Sequence, residues 1–256
     1  KPEKLQKMAE TMDRGSDALK SHVSDTQTMS IRQTRKGWLQ EILGCEARTE
    51  FKVFVGENQI ASALEDASCL CRLLCSPIHP FTMEVKELNT EAEMITVDRP
   101  FRCAFAGCKC CCYQEASVKS GGQELGSMME DCFFCVPSFK VKSPNGTPIY
   151  KIHPPTCCAG CCVNCCTEGN PCCGRGCCKV PFHIFPASQE TTDGDAPFIG
   201  KIVKAPKSLG VEIFTEADAF DITFPEGATA QEKGLLMGSA IFINVNFFEE
   251  SGNSDS

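Results

Sequence analysis

The chain has 256 residues, 42% of them hydrophobic, a size and composition that suit one large all-β domain or two small ones around a buried core. Its formal net charge of −8, with no segment that gathers lysine and arginine, excludes nucleic acid as a partner. No secretory signal pattern follows Lys1, and the lack of an initiator Met leads us to expect that N-terminal residues are missing.

Residues 1–37 are expected to form a helical or flexible N-terminal arm. The stretch LQKMAETMDRGSDALKSHV predicts a helix that would serve as a docking arm for a protein partner. Its apolar positions are sparse, so a frayed or solvated helix is the alternative.

From Phe51 onward, short segments with period-2 hydrophobicity come in pairs around turn signals, as in β-hairpins. Six such hairpins predict twelve strands, in a sandwich or a barrel, and closure would remove the exposed edges of a long sheet. The pairs are 51–55 with 59–65, 81–87 with 93–99, 113–120 with 123–129, 138–143 with 148–152, 181–185 with 198–204, and 211–214 with 219–224.

The hydrophobic period changes near the C-terminus. Thr229 and Glu232 have the spacing of a helix capping box, and the run GLLMGSAIFINVNFF that follows is apolar on every side. A helix over Gly234–Phe248 would be roughly 22 Å long, shorter than the ~30 Å hydrocarbon core of a bilayer. We therefore expect a buried helix over residues 230–248, followed by a polar tail at 251–256, with a membrane span as the alternative.

Cysteine is the most unusual feature of the composition. The chain has 21 cysteines, and ten of them form five adjacent pairs between Cys157 and Cys178. Disulfides, metal thiolates and fatty acylation compete to explain them. Extensive disulfide bonding is disfavoured, because the chain has a core of its own and adjacent cysteines would need separate partners in strict geometry. We expect thiols that are reduced, modified or metal-bound.

Three segments carry a resemblance to a known family: WLQEILGCEARTEFKV, ITVDRPFRC with the following CKCCCYQE, and FTEADAFDITFPEG with the following GLLMGSAIFINVNFFEESG. Together they make residues 38 to 252 resemble the phospholipid scramblase family. The resemblance implies a mainly β fold, a closed barrel of twelve antiparallel strands around a central C-terminal apolar helix, similar to the Tubby C-terminal domain. We expect this barrel domain to span residues 38–250.

The resemblance also implies a function. Scramblases move phospholipids between membrane leaflets without ATP, promoted by calcium, while tethered through palmitoylated cysteines. We therefore expect a protein that is not an enzyme, at the cytoplasmic face of the plasma membrane, with the phospholipid membrane as its partner. The palmitoylated cysteines of the family correspond to Cys108, Cys110, Cys111 and Cys112, although here Lys109 interrupts the cluster.

In an up-and-down barrel the tight turns lie at one end and the links between hairpins at the other, and the cysteines fall almost entirely on links. We therefore expect one thiol-lined rim that carries several acyl chains, with further acylation at Cys157, Cys158, Cys161, Cys162, Cys165 and Cys166. Zinc is the alternative cofactor, because Cys158, Cys161, Cys162 and Cys165 have the spacing of thiolate pairs. The nearby His153 and His183 are expected to be ordinary loop and strand residues.

Calcium is the other cofactor to consider. The stretch from Glu216 to Gly227 fails as an EF-hand, because Phe220, Asp221 and Gly227 occupy positions that need other residues. The alternation of Phe220, Ile222 and Phe224 favours a buried strand instead. If calcium binds, the available carboxylates are Glu216, Asp218, Asp221 and Glu226, and the affinity should be weak.

No catalytic motif is apparent, since the sequence has no Ser-His-acid pattern and no glycine-rich phosphate loop. Two alternatives to lipid scrambling follow. One is a non-transporting lipid-binding or membrane-scaffold protein with the same fold, and the other is an interaction subunit or a zinc-thiolate-stabilised structural protein.

Overall fold

The computed structural model describes residues 2–34, 50–66, 80–102, 113–131, 136–157, 162–163, 180–190, 196–205 and 216–247. Two helices and fourteen strands lie in these ranges. The helices are α1 (Pro2–Val23) and α2 (Ala230–Phe247). The strands are β1 (Thr28–Thr34), β2 (Glu50–Val55), β3 (Asn58–Asp66), β4 (Phe81–Glu87), β5 (Glu93–Arg99), β6 (Glu115–Ser120), β7 (Gln123–Glu130), β8 (Phe139–Lys142), β9 (Pro148–His153), β10 (Thr156–Cys157), β11 (Cys162–Val163), β12 (Val180–Pro186), β13 (Gly200–Ala205) and β14 (Glu216–Thr223).

Twelve of the strands form a closed antiparallel barrel in the order β1-β14-β13-β12-β9-β8-β7-β6-β5-β4-β3-β2, and β10 pairs with β11 outside it. The barrel confirms the predicted fold class. Five of the six predicted hairpins are present as β2–β3, β4–β5, β6–β7, β8–β9 and β12–β13. In the sixth, residues 219–224 overlap β14, whereas residues 211–214 lie outside the described part of the chain.

The strand that closes the barrel is β1, which pairs with β14 on one side and β2 on the other. It lies within residues 1–37, the segment that the sequence analysis assigned to a helical or flexible arm. The barrel therefore begins at Thr28 rather than at residue 38. The reason for the difference is that a 15-residue connection, not a tight turn, separates β1 from its partner β2, so no local turn signal marks β1.

Along the barrel strands, buried and exposed residues alternate, because only the inward face of each strand contacts the core. In β4, Phe81, Met83 and Val85 are buried, whereas Glu84 and Lys86 face outward. The hairpin turns use glycine where the backbone needs a positive φ, as at Gly146, where φ is 83°. The sequence pattern therefore sets both the strand faces and the turns.

Helix α2 runs through the barrel interior. Its residues from Lys233 to Val245 are all buried, and the apolar ones among them join the inward-facing strand residues in one hydrophobic core. The packing is close at Gly238, where a Cβ would lie 2.6 Å from Cγ2 of Val118. An apolar surface on every side therefore suits this helix, because barrel strands surround it. Neither described helix combines the length and the hydropathy that crossing a bilayer would require.

The predicted capping box at the start of α2 is confirmed. The backbone N–H of Thr229 donates to Oε2 of Glu232 at 2.7 Å, and the N–H of Glu232 donates to Oγ1 of Thr229 at 3.3 Å. These reciprocal bonds satisfy N–H groups at the helix N-terminus that have no partner within the helix.

Helix α1 lies against the end of the barrel where the β4–β5 and β6–β7 turns are located. Leu19 and Val23 are buried, and Gly15 is so close to the turns that a Cβ there would lie 2.3 Å from the carbonyl oxygen of Glu93. The N-terminal segment is thus helical, and the second half of the helix belongs to the core.

Candidate functional site

The strand register gives the barrel two different ends. At the hairpin end lie the tight turns and α1. At the opposite end, the link end, lie the connections between hairpins. The register shows this, because Thr34 pairs with Glu50 there and Phe81 pairs with Arg99. The six connections at the link end are residues 35–49, 67–80, 100–114, 131–138, 154–179 and 206–215.

All 21 cysteines fall within five of these six connections. The strand order therefore brings the bases of every cysteine-bearing segment to one end of the barrel, as the thiol-rim prediction requires. Cys71, Cys110, Cys135 and Cys161 themselves lie outside the described residues, so their proximity stays a prediction.

The candidate acylation cluster of Cys108, Cys110, Cys111 and Cys112 also lies outside the described residues, but both ends of its segment are described. Arg102, just before it, forms a salt bridge with Glu115, and Nη1 of Arg102 donates to the carbonyl oxygen of Tyr113 at 3.3 Å. Nε2 of Gln114 donates back to the carbonyl oxygen of Arg102 at 3.1 Å. These contacts join the two ends of the segment, and we call them the clamp.

Next to this clamp, Phe101 is half exposed, with 50% of its surface accessible. An exposed aromatic side chain beside the cysteine segment gives the link end an apolar contact point. The sequence pattern alone did not mark Phe101, Arg102, Gln114 or Glu115 as functional residues. A signal was present in the stretch PFRC, where Phe101 and Arg102 directly precede the cysteine segment.

The five adjacent cysteine pairs from Cys157 to Cys178, called the doublet run below, begin in the small β10–β11 hairpin, where Cys157 lies opposite Cys162. Cys162 is exposed and forms no disulfide. Cys158, Cys161, Cys165 and Cys166 lie outside the described residues, so acylation and zinc binding both stay predictions. Within the described ranges no three potential metal ligands lie together.

His153 and His183 lie directly opposite each other on β9 and β12. His183 is buried and stacks on Phe198, with 4.0 Å between the ring centroids. Both histidines are strand residues.

The interior of the barrel is polar at the link end. Nδ2 of Asn244 donates to Oε1 of Gln33 at 3.3 Å, and Arg99, only 1% exposed, donates to Oδ1 of Asn246. The guanidinium of Arg99 also lies 5.2 Å from the ring centroid of Phe81. The C-terminal part of α2 is therefore held by polar contacts, which explains why an otherwise apolar helix contains two asparagines.

The candidate calcium ligands lie on or after one strand rather than in a loop. Glu216, Asp218 and Asp221 belong to β14, and Glu226 follows in the turn at the hairpin end. An eight-residue strand is about 23 Å long, so Glu216 and Glu226 lie at opposite ends of the barrel. Asp221 accepts a hydrogen bond from Oγ of Ser30 at 2.6 Å. The buried strand expected from Phe220, Ile222 and Phe224 is confirmed.

The described side chains fill the barrel. Phe139 on β8 contacts Phe182 on β12 and Phe242 on α2, with ring centroids 6.3 Å and 6.1 Å apart, so strand side chains pack directly on the central helix. Chemically, the described residues offer a filled barrel whose link end carries the starts of the cysteine-bearing connections and the exposed Phe101.

Comparison with known proteins agrees with this architecture. The profile of the family described as Scramblase matches residues 8–168 and 165–250. Human phospholipid scramblase 1 is 29% identical over 219 residues, which cover 85% of this chain and 62% of the relative. Bovine phospholipid scramblase 2 is 28% identical over 82% of this chain and 65% of its own length.

Human phospholipid scramblase family member 5 is 29% identical over 82% of this chain and 70% of the relative. The chain thus spans less than two thirds of the length of the first two of these relatives. No solved structure matches the chain. Because the family profile covers nearly the whole barrel and both helices, the chain belongs to the scramblase family.

Proposed function

We propose that this chain is a membrane-tethered, phospholipid scramblase-like protein that moves phospholipids between bilayer leaflets without ATP and is promoted by calcium. Family membership and the names of the relatives support lipid scrambling. The observation that carries the proposal is the location of all 21 cysteines on connections that start and end at the link end of the barrel.

In this proposal the tether consists of acyl chains on Cys108, Cys110, Cys111 and Cys112, with further chains on the doublet run. One acyl chain gives only marginal membrane binding, whereas two or more give stable attachment. The clamp between Arg102 and Glu115 supports this role, because it joins the two ends of the segment that contains the cluster. The link end would face the cytoplasmic leaflet of the plasma membrane.

The filled interior restricts the route of a lipid. Because α2 occupies the centre of the barrel, a phospholipid would pass along the outside of the domain or through the membrane next to it.

Calcium promotion also places a requirement on the geometry. Since Glu216 and Glu226 are at opposite ends of β14, a calcium site here would combine Asp218 or Asp221 with ligands from other segments.

A vesicle assay tests scrambling. The full chain is reconstituted into phosphatidylcholine and phosphatidylserine vesicles that contain fluorescent phosphatidylserine in both leaflets, and dithionite is added to bleach the outer leaflet. Scrambling predicts bleaching well beyond half of the fluorescence without ATP, faster with calcium. Bleaching that stops at half under both conditions contradicts it.

The tether is tested separately in cells. Replacing Cys108, Cys110, Cys111 and Cys112 together with Ala should shift the protein from the membrane fraction toward the soluble fraction, and replacing Cys132 and Cys135 is the matched control on another connection. Intact-mass spectrometry before and after hydroxylamine, with elemental analysis for zinc, identifies the modification. Full membrane attachment after both cysteine clusters are replaced, or stoichiometric zinc without acyl groups, contradicts the tether.

The filled barrel also favours a second candidate function, a lipid-binding or membrane-scaffold protein without transport. The same vesicles distinguish the two functions. Attachment to vesicles with bleaching that stops at half supports the scaffold function.

A further inference from the structure

The charges of the barrel strands are distributed very unevenly. Four neighbouring strands, β8, β9, β12 and β13, contain five lysines and two histidines but no aspartate or glutamate. The other eight barrel strands contain thirteen acidic residues and five lysines or arginines. In a chain with a net charge of −8, this concentration of positive charge on adjacent strands defines a distinct surface.

Four of the lysines face outward from the barrel. Lys140 and Lys142 alternate with the buried Phe139 and Val141, and Lys151 lies between the buried Tyr150 and Ile152. Lys201 precedes the buried Ile202 on β13. We call the outer surface formed by Lys140, Lys142, Lys151 and Lys201 the basic face.

The contacts of these lysines keep their ammonium groups at the surface. Nζ of Lys140 lies 2.8 Å from Oδ1 of Asp131, and the side chain of Lys140 is 35% exposed. Nζ of Lys151 donates to the carbonyl oxygen of Gln189 at 2.6 Å. Asp131 offsets one charge, the exposed Glu190 borders the face at the hairpin end, and the exposed Asp221 lies on the neighbouring β14 at the edge of the face.

The basic face is continuous with the longest cysteine-bearing segment. Strand β9 ends at His153 and β12 begins at Val180, and these two strands are direct neighbours in the barrel. The segment with ten cysteines therefore leaves and re-enters the barrel within the basic face. The connection 131–138, whose sequence contains Cys132 and Cys135, leads into β8 of the same face.

We propose that the basic face binds the surface of an anionic phospholipid bilayer and so tilts the barrel, whose link end faces the membrane, toward this side. An acyl chain combined with a group of basic residues gives stable attachment where one acyl chain alone is marginal. Each lysine near an anionic bilayer strengthens the attachment measurably, and the effect falls within a Debye length. The acidic strands on the other side of the barrel would be repelled, which selects one orientation.

The proposal deepens the membrane association proposed above, and its test is independent of both scrambling and acylation. The full chain, freed of acyl groups with hydroxylamine, is sedimented with phosphatidylcholine vesicles or with vesicles that also contain phosphatidylserine. Binding should occur only to the phosphatidylserine vesicles and should be lost as the salt concentration rises.

The triple variant Lys142→Gln, Lys151→Gln, Lys201→Gln should bind these vesicles on the order of a hundredfold more weakly. The matched control changes Lys52, Lys86 and Lys119 to Gln, which removes the same charge from outward positions on β2, β4 and β6. Circular dichroism checks that both variants are folded.

Equal losses in the two triple variants, or binding that does not depend on phosphatidylserine, would overturn the proposal. Binding of a single-stranded RNA as tight as that of the vesicles would assign the face to nucleic acid instead. Failure of the dithionite assay would leave this result unaffected, because vesicle sedimentation does not require lipid transport.

Discussion

At the scale of single residues, Tyr150 shows how the barrel and α2 depend on each other. The side chain of Tyr150 is buried on β9, near the N-terminus of α2. Burial, followed by the charge of Glu232 and a hydrogen bond to it, raises the pKa of the Tyr150 phenol above its ordinary value of 10.0. Glu232 is also the carboxylate of the capping box, so one side chain connects the helix start with the barrel.

This raised pKa predicts a loss of stability in alkaline solution. Because the folded state keeps the phenol protonated, the contribution of Tyr150 is fully present below the unfolded pKa of 10.0 and decreases as pH rises above it. Urea unfolding as a function of pH should therefore show decreasing stability above pH 10, and Tyr150→Phe should reduce this slope. Tyr113→Phe, which removes the only other phenol, is the control. Equal slopes for Tyr150→Phe and the unmodified chain would contradict the assignment.

At the scale of elements, α1 is attached to the barrel through its C-terminal end. Nζ of the buried Lys233 on α2 donates to the carbonyl oxygens of Val23 at 3.0 Å and Ser24 at 2.7 Å. These carbonyls lie at the negative end of the helix dipole, where a cation is stabilising. His22 adds a contact of 2.6 Å to Glu87, and hydrogen bonds from Thr90 and then from His22 lower the pKa of Glu87.

We expect Lys233→Met to loosen α1 while the barrel stays folded. The substitution keeps most of the buried volume but removes two charge-assisted hydrogen bonds, each of which contributes roughly 1.5–3 kcal/mol. Hydrogen exchange should therefore become faster at residues 13–24 and change little in β8 and β9. Lys20→Met, at an exposed position of the same helix, is the control. Unchanged exchange in α1 of the Lys233 variant would show that apolar packing of Leu19 and Val23 is sufficient.

At the scale of the whole molecule, closure of the barrel depends on β1. This strand contributes the buried Met29 and Ile31 to the core and pairs with both β14 and β2. Without it, two neighbouring strands would expose their backbone N–H and C=O groups as sheet edges. Closure therefore requires residues that lie before residue 38, the barrel boundary expected from the family resemblance.

Two truncations separate the roles of α1 and β1. The chain 24–256 keeps all twelve barrel strands and should stay soluble and monomeric, with lower stability because it lacks Leu19 and Val23. The chain 38–256 lacks β1 and should aggregate through its open edges. Size-exclusion chromatography with light scattering measures both. A monomeric, cooperatively folding 38–256 chain would show that closure by β1 is dispensable.

The sequence by itself determined the features that depend on neighbouring residues. Period-2 alternation and turn residues predicted five complete hairpins, because side-chain direction in a strand and the φ of a turn are local properties. Thr229 and Glu232 predicted the start of α2, since a capping box spans only four residues. The uniformly apolar run after Gly234 predicted a buried helix, although not which strands would surround it. The number of strands, combined with the family resemblance, led to the closed barrel.

The tertiary structure alone decided the features that depend on residues far apart in the chain. The pairing of β1 with β14 joins segments almost two hundred positions apart, as in Thr28 opposite Thr223, and no local pattern encodes such a pair. The basic face likewise combines the lysines of β8 and β9 with Lys201 of β13, which follows the doublet run in sequence. Lys233 bonds to carbonyls more than two hundred positions away. In each case the free energy comes from burial and charge in the assembled barrel, so the contact exists only after the chain has closed on itself.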